Sequence, residues 1–137
     1  MSLTPAKPAI DLGIVTGDLD RLTHFYMEVV GLTDLGGGPT RSTEGGSVRN
    51  LACGDSVVKL IQYSDLPRAK AAPGPVNAST GYRYWTITVP DVPSIVAACV
   101  ADGRTVVVPV KELSPGVRVA IVEDPDGNWI EFLDESD

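Results

Sequence analysis

Histidine is close to absent from this chain: among 137 residues, His24 is the only one. A site built from several imidazole ligands is excluded, and any Ser-His-Asp or Cys-His arrangement would have to be built around His24. That residue falls off the apolar stripe Leu22, Phe25, Tyr26 and Val29 of its own helix, so it reads as a solvated surface side chain. Cysteine is nearly as scarce. Cys53 and Cys99 lack metal-ligand spacing and read as reduced, structural thiols. Positive charge is short as well: 11 Lys and Arg stand against 18 Asp and Glu. The net charge of −7 opposes broad attraction to nucleic acid or to an anionic membrane surface. No apolar run approaches the roughly 20 residues of a membrane span, and the first residues lack the charged and apolar regions of a secretory leader. A cytoplasmic protein is expected, with a small molecule rather than a polyanion or a membrane as its partner.

What the chain does have is a repeat. Asp11 to Leu19 lies over Tyr84 to Val92 at an offset of 73, an apolar strand running into an Asp that opens a helix in both copies. Val57 to Ile61 lies over Trp129 to Leu133 at an offset of 72. An offset that survives across most of a half implies two similar modules, each burying one sheet face and pairing about a pseudo-twofold axis. The predicted elements of the first module are a strand over 10–15, a helix capped by Asp18 and ended by Gly31, and a short strand over 32–35. The run from Gly36 to Gly46 reads as a flap with no regular structure, followed by a hairpin of 48–53 and 56–62 across Gly54 and Asp55. The second module repeats the order: strand 82–89, helix 93–101, strand 105–110, and a hairpin of 117–123 and 128–133 across Asp124-Pro125-Asp126-Gly127. The expectation is one domain over 1–137, with βαβββ modules at 10–62 and 82–133 and a Pro-, Ala- and Gly-rich linker at 63–81.

Gly13-Ile14-Val15 followed by Asp18-Leu19-Asp20, then Phe25-Tyr26, Val30-Gly31-Leu32, and Asp124-Pro125-Asp126-Gly127-Asn128 followed by Ile130-Glu131, resemble the vicinal oxygen chelate superfamily. This is the group of glyoxalase I, bleomycin-resistance proteins and extradiol dioxygenases, and the likeness runs from about Ile10 to Leu133. It implies an α+β fold of two paired βαβββ modules, an incomplete barrel around a shared cavity, and a homodimer. Function is then expected where the modules meet.

Strand alternation places Ile10, Leu12, Ile14, Val58, Leu60, Trp85, Ile87, Val89, Ile130 and Phe132 on a core face under the helices. The opposite face carries Asp11, Lys59, Tyr84 and Glu131 among apolar and hydroxyl neighbours, as a ligand pocket does. By the resemblance, these four are the positions at which metal-binding members carry His, Glu or Gln ligands. Glu131 matches that pattern and Asp11 is a hard-oxygen substitute, so these two would be the ligands if a metal were held. Lys59 and Tyr84 depart from it: a protonated Lys cannot ligate, and a phenol must first lose its proton. No cofactor or tight metal is therefore expected. In its place Lys59 takes the charge role of the ion, between Asp11 and Glu131 and with the Tyr84 hydroxyl completing the network. There it polarises a carbonyl or enolate oxygen while Glu131 or Asp11 moves a proton at the adjacent carbon. The plainer alternative is that the four neutralise one another as a structural polar cluster.

Trp129, Tyr82, Thr86 and Ile61 are the candidate ligand-binding walls. Arg41 and Arg49 are either solvated loop cations or partners of an anionic ligand group. Three functions stay open at this point. One is binding, with proton transfer of isomerase or lyase type, of a small organic molecule without a metal. The second is sequestration of a drug without turnover, and the third a metal-dependent glyoxalase or dioxygenase.

Overall fold

The computed structural model describes residues 2–136. The chain divides between Arg68 and Ala69 into two compact units. The first holds β1 (Leu12–Val15), α1 (Leu19–His24), a π-helical turn (Phe25–Val29), β2 (Thr33–Pro39), β3 (Gly46–Cys53) and β4 (Ser56–Tyr63). Its sheet order is β1-β4-β3-β2, with β1 and β4 parallel and the other pairs antiparallel. The second holds β5 (Tyr84–Thr88), α2 (Val92–Ala101), β6 (Val106–Ser114), β7 (Val117–Glu123) and β8 (Trp129–Glu135). Its order β5-β8-β7-β6, with β5 and β8 parallel, repeats the first. Each unit is a βαβββ module, the class is α+β, and each sheet is open rather than closed into a barrel.

Helix α1 starts because the Asp18 side chain accepts from the Arg21 N–H at 3.1 Å. It then widens, Val30 N–H reaching back to the Phe25 carbonyl and Gly31 N–H to that of Tyr26. The wider turn brings the consecutive residues Phe25 and Tyr26 into the core together, both fully buried and edge to face with ring centroids 5.0 Å apart. Each buried ring contributes on the order of 2–3 kcal/mol. Val58, Leu60 and Leu51 of β4 and β3, the strands against which α1 packs, are buried in the same core. In the second unit the same layer is Ile130, Phe132, Ala120 and Val122 beneath Val92, Val96 and Cys99 of α2. Burial first, then the Asp102 charge, pushes the Cys99 thiol up to about 11. Iodoacetamide at about pH 8 should therefore leave Cys99 unmodified in the folded protein and alkylate it in urea, as peptide mass spectrometry reads.

Both helices receive a cap from the last strand of their own sheet, for α1 in addition to Asp18. Gln62 Oε1 accepts from the Leu19 N–H at 2.7 Å, and Asp134 Oδ2 accepts from the Val92 N–H at 2.7 Å. Asp91, expected to open α2 as Asp18 opens α1, instead accepts from the Ser94 hydroxyl and leaves the capping to Asp134. The β7–β8 turn is organised by Asp124, whose carboxylate accepts from the N–H groups of Asp126 and Asn128, while Gly127 takes the positive φ of 86° that the turn requires.

Three expectations are corrected. Gly36 to Pro39 is strand, not flap: Gly36, Gly37, Gly38 and Pro39 pair with Asn50, Arg49, Val48 and Ser47. Glycine has no side chain to announce a strand, and it is the partner strand that fixes these residues. Only residues 40–45 form a loop, tied by Thr40 N–H to the Gly46 carbonyl and Ser64 N–H to that of Gly45. Ile10, read as core, is 85% exposed, because β1 begins only at Leu12 and no element covers the residue before it. The outer strand β6 runs farther than expected, to Ser114, and its register against β7 shifts at three places.

Candidate functional site

In the first unit the sheet face opposite α1 forms a cleft of about 630 Å³. The register assembles it row by row: Lys59 lies opposite Asn50, Ile61 opposite Val48, and Tyr63 opposite Gly46. On the other side of Lys59 stands Gly13, and beyond Val48 stands Gly38. A Cβ at either glycine would meet nothing within 4 Å, so the absent side chains leave space over the strands. The loop contributes Thr40, Arg41 and Ser42 at the Tyr63 end, and no Asp or Glu lines the cleft. Lys59 makes no hydrogen bond or ion pair among the described residues.

Asp11 sits just ahead of β1, and Lys59 is not its hydrogen-bonding partner. Its carboxylate accepts from Lys7 Nζ at 2.7 Å and from the Val57 N–H at 2.8 Å, which closes the end of the β1–β4 ladder. The Lys7 hydrogen bond first, then the Val57 N–H, hold the Asp11 carboxyl below the usual carboxylate range, and the Lys59 charge adds to the effect.

In the second unit Glu131 is brought together with Thr86, whose hydroxyl donates to Glu131 Oε1 at 3.0 Å across the β5–β8 pair. Tyr84 is half exposed one row along, opposite Trp129. The Trp129 indole N–H donates to Glu123 at 3.4 Å, and the Arg83 guanidinium carbon stands 5.8 Å from its ring centroid. Arg83 also donates to the carbonyls of Val76, Pro75 and Ala72, so it holds the preceding coil against the strand end. Tyr82 lies outside β5, fully in solvent. Ile61 belongs to the first unit's cleft.

Elsewhere, His24 is exposed on α1, and Arg49 pairs with Asp34 at 3.2 Å. Sequence reasoning missed Asn50, and of the two loop cations it named, Arg41 lines the cleft. The hairpin register alone could have found Asn50, which it sets opposite Lys59. In neither unit do three of His, Cys, Asp and Glu gather among the described residues. The donor chemistry of the four positions is equally poor for a divalent ion: an ammonium, a phenol, and an Asp11 oxygen already shared by two donors leave Glu131 as the one ready ligand. These residues do not fit a tight metal site.

A sequence profile of the Glyoxalase/Bleomycin resistance protein/Dioxygenase superfamily matches residues 10–132, nearly the whole chain. The chain belongs to this superfamily. A search of the curated proteins finds no significant match. Among solved structures, a glyoxalase family protein from Bacillus cereus superposes with a TM-score of 0.85 at 19% identity, covering 100% of this chain and 99% of that one. The trypanothione-dependent glyoxalase I of Leishmania major gives 0.73 at 27% identity, covering 95% of this chain and 88% of that one. A glyoxylase/bleomycin resistance protein/dioxygenase domain from Frankia gives 0.73 at 16% identity, covering 99% and 95%. Within the superfamily this chain keeps the βαβββ units while Lys59 and Tyr84 stand at positions where the resemblance implies metal ligands. No helix among the described residues is long and apolar enough to cross a membrane.

Proposed function

We propose that the chain binds a small organic molecule in the first unit's cleft through an oxygen atom held at the Lys59 ammonium, with no metal ion in that role. The observation that carries this reading is an ammonium with no hydrogen-bonding or ion-pair partner among the described residues, in a cleft of ligand size lined otherwise by apolar and hydroxyl-bearing residues, Asn50 and Arg41. An ammonium beside a carbonyl oxygen stabilises the negative charge that develops there when the adjacent carbon loses a proton, so the chemistry that suits it is of isomerase or lyase type. Asp11 is a poor base for that step, because a carboxyl held ionised by Lys7 and Val57 has a weakened hold on a proton. No carboxylate lines the first unit's cleft, so the proposal rests on oxygen binding at Lys59, and the proton-accepting group is left unassigned. The expected homodimer and cytoplasmic location belong to this reading as well.

A thermal-shift screen of carbonyl compounds and organic acids against the wild type and Lys59→Met tests it. Ligands should raise the melting temperature of the wild type, and Lys59→Met should weaken their binding by about 10–100-fold, the ordinary loss for a charge-assisted hydrogen bond. Prior treatment with a chelator should change neither result. Binding that needs added Mn²⁺, Fe²⁺, Ni²⁺ or Zn²⁺ and ignores Lys59→Met would overturn the reading in favour of a metal-dependent enzyme. Tight, Lys59-dependent binding without turnover would assign a sequestering role.

A further inference from the structure

Resting on the cleft reading just given, we infer that the occupant is an organic acid bearing oxygen groups at both ends of an apolar body. The cleft has a cation toward each end. Lys59 occupies one, and Arg41 enters from the loop at the other, where Thr40 N–H is bonded to the Gly46 carbonyl and Gly46 pairs with Tyr63. Between them lies the cross-strand pair Val48 and Ile61, with neither a charge nor a hydrogen-bonding side chain. From Lys59 to Tyr63 the strand advances four residues, or about 13 Å at the usual rise. Polar groups that can complete recognition stand at both ends. Asn50 is opposite Lys59, and Thr40, Ser42 and Tyr63 are near Arg41.

The sign of the charge is as informative as its placement. The chain carries −7 overall, yet no carboxylate lines this cleft, and neither Lys59 nor Arg41 is ion-paired among the described residues. Asp11 lies near enough for its charge to couple to Lys59, but its carboxylate is bonded to Lys7 and Val57 and lies outside the cleft lining, so two cations without an ion-pair partner leave a local field that favours an anion and disfavours the cationic drug that net charge alone would suggest. An amide beside an ammonium is suited to a carboxylate, one oxygen taking each donor. Arg41 can take a second carboxylate through two parallel N–H groups.

Calorimetric titration of the full chain with suberate, octanoate, octanediol and octanediamine, at fixed low salt, tests this. Suberate is a dicarboxylate whose extended length is of the order of the cleft. It should bind, weaken as salt is raised, and lose about tenfold in affinity in each of Lys59→Met and Arg41→Met. Octanoate should respond to only one of the two substitutions, and octanediamine should not bind. Both substituted side chains are exposed, and an unchanged melting temperature of each variant confirms that a lost affinity is not lost folding. If octanediol binds as well as suberate and only Lys59→Met matters, the two-ended acid is wrong while the Lys59 reading stands. If suberate does not bind, or binds indifferently to both substitutions, the inference falls. Should no carbonyl compound in the thermal-shift screen depend on Lys59 either, the cleft reading falls with it.

Discussion

Gly37→Ala is expected to destabilise the protein by about 1–3 kcal/mol, whereas Gly38→Ala, one residue on, should change stability by no more than roughly 0.5 kcal/mol. A Cβ at Gly37 would run into the Val48 carbonyl oxygen and stand 3.2 Å from the Arg49 Cα. Both obstacles are backbone of the paired strand, so relief requires β2 and β3 to separate locally rather than one side chain to turn. At Gly38 a Cβ would meet nothing within 4 Å and the backbone needs no positive φ, so alanine fits. Urea unfolding midpoints of the two variants measure the difference. Equal midpoints would show that the glycine run is loop after all. Because Gly38 lines the cleft, its methyl group would also narrow the binding space while leaving the fold intact.

Asp134→Ala should lower the melting temperature by roughly 5–10 °C, more than a surface carboxylate would. The Asp134 side chain is 5% exposed and meets three donors: the Val92 N–H at 2.7 Å, and Arg118 Nε and Nη2 at 3.0 and 2.7 Å. Its removal leaves the first N–H of α2 without its acceptor and Arg118 with only the looser pairing to Asp91 at 3.7 Å. The Arg118 hydrogen bond first, then the Val92 N–H, hold the Asp134 carboxyl below the usual range. Its folded pKa lies below its unfolded one, so its contribution is complete above the unfolded value and is lost as pH falls through the folded one. Wild-type stability should therefore decline from about pH 4 downward, and Asp134→Asn should flatten that part of the profile by removing the proton-linked group. A variant whose acid limb matched the wild type in steepness would show that other carboxylates set it.

Much of this architecture is legible in the chain because two signals agree. The offset between the halves and the alternation of apolar residues mark all eight strands by position, β2 only over its first residues, and the Asp124 to Gly127 run marks the β7–β8 turn by chemistry. What is not legible depends on partners distant in sequence. Nothing local tells that Gly36, Gly37 and Gly38 are held by β3. Gln62 and Asp134 occupy matching places and each caps a helix start, yet one is an amide and the other a carboxylate, so no residue-type rule joins them. The widened turn at Phe25 to Val29 arises from the need to bury two successive rings, which a regular helical stripe does not express. At the candidate site the faces of Lys59 and Glu131 follow from alternation. Their immediate neighbours Gly13, Asn50 and Thr86 follow from register, which the sequence does not contain.

The uneven course of β6 has a consequence for behaviour at high concentration. An outermost strand leaves a row of N–H and C=O groups on which another chain could grow a fibril-like ladder. Here that row is interrupted by register shifts at Val106/Val108, Val108/Lys111 and Glu112/Ser114, and it carries exposed Lys111 and Glu112. Leu113 and Val110 are exposed beside them and would otherwise make the edge adhesive. An incoming strand finds only short stretches in step before the pairing fails, and a straightened β6 would turn the same sequence into a nucleus for aggregation.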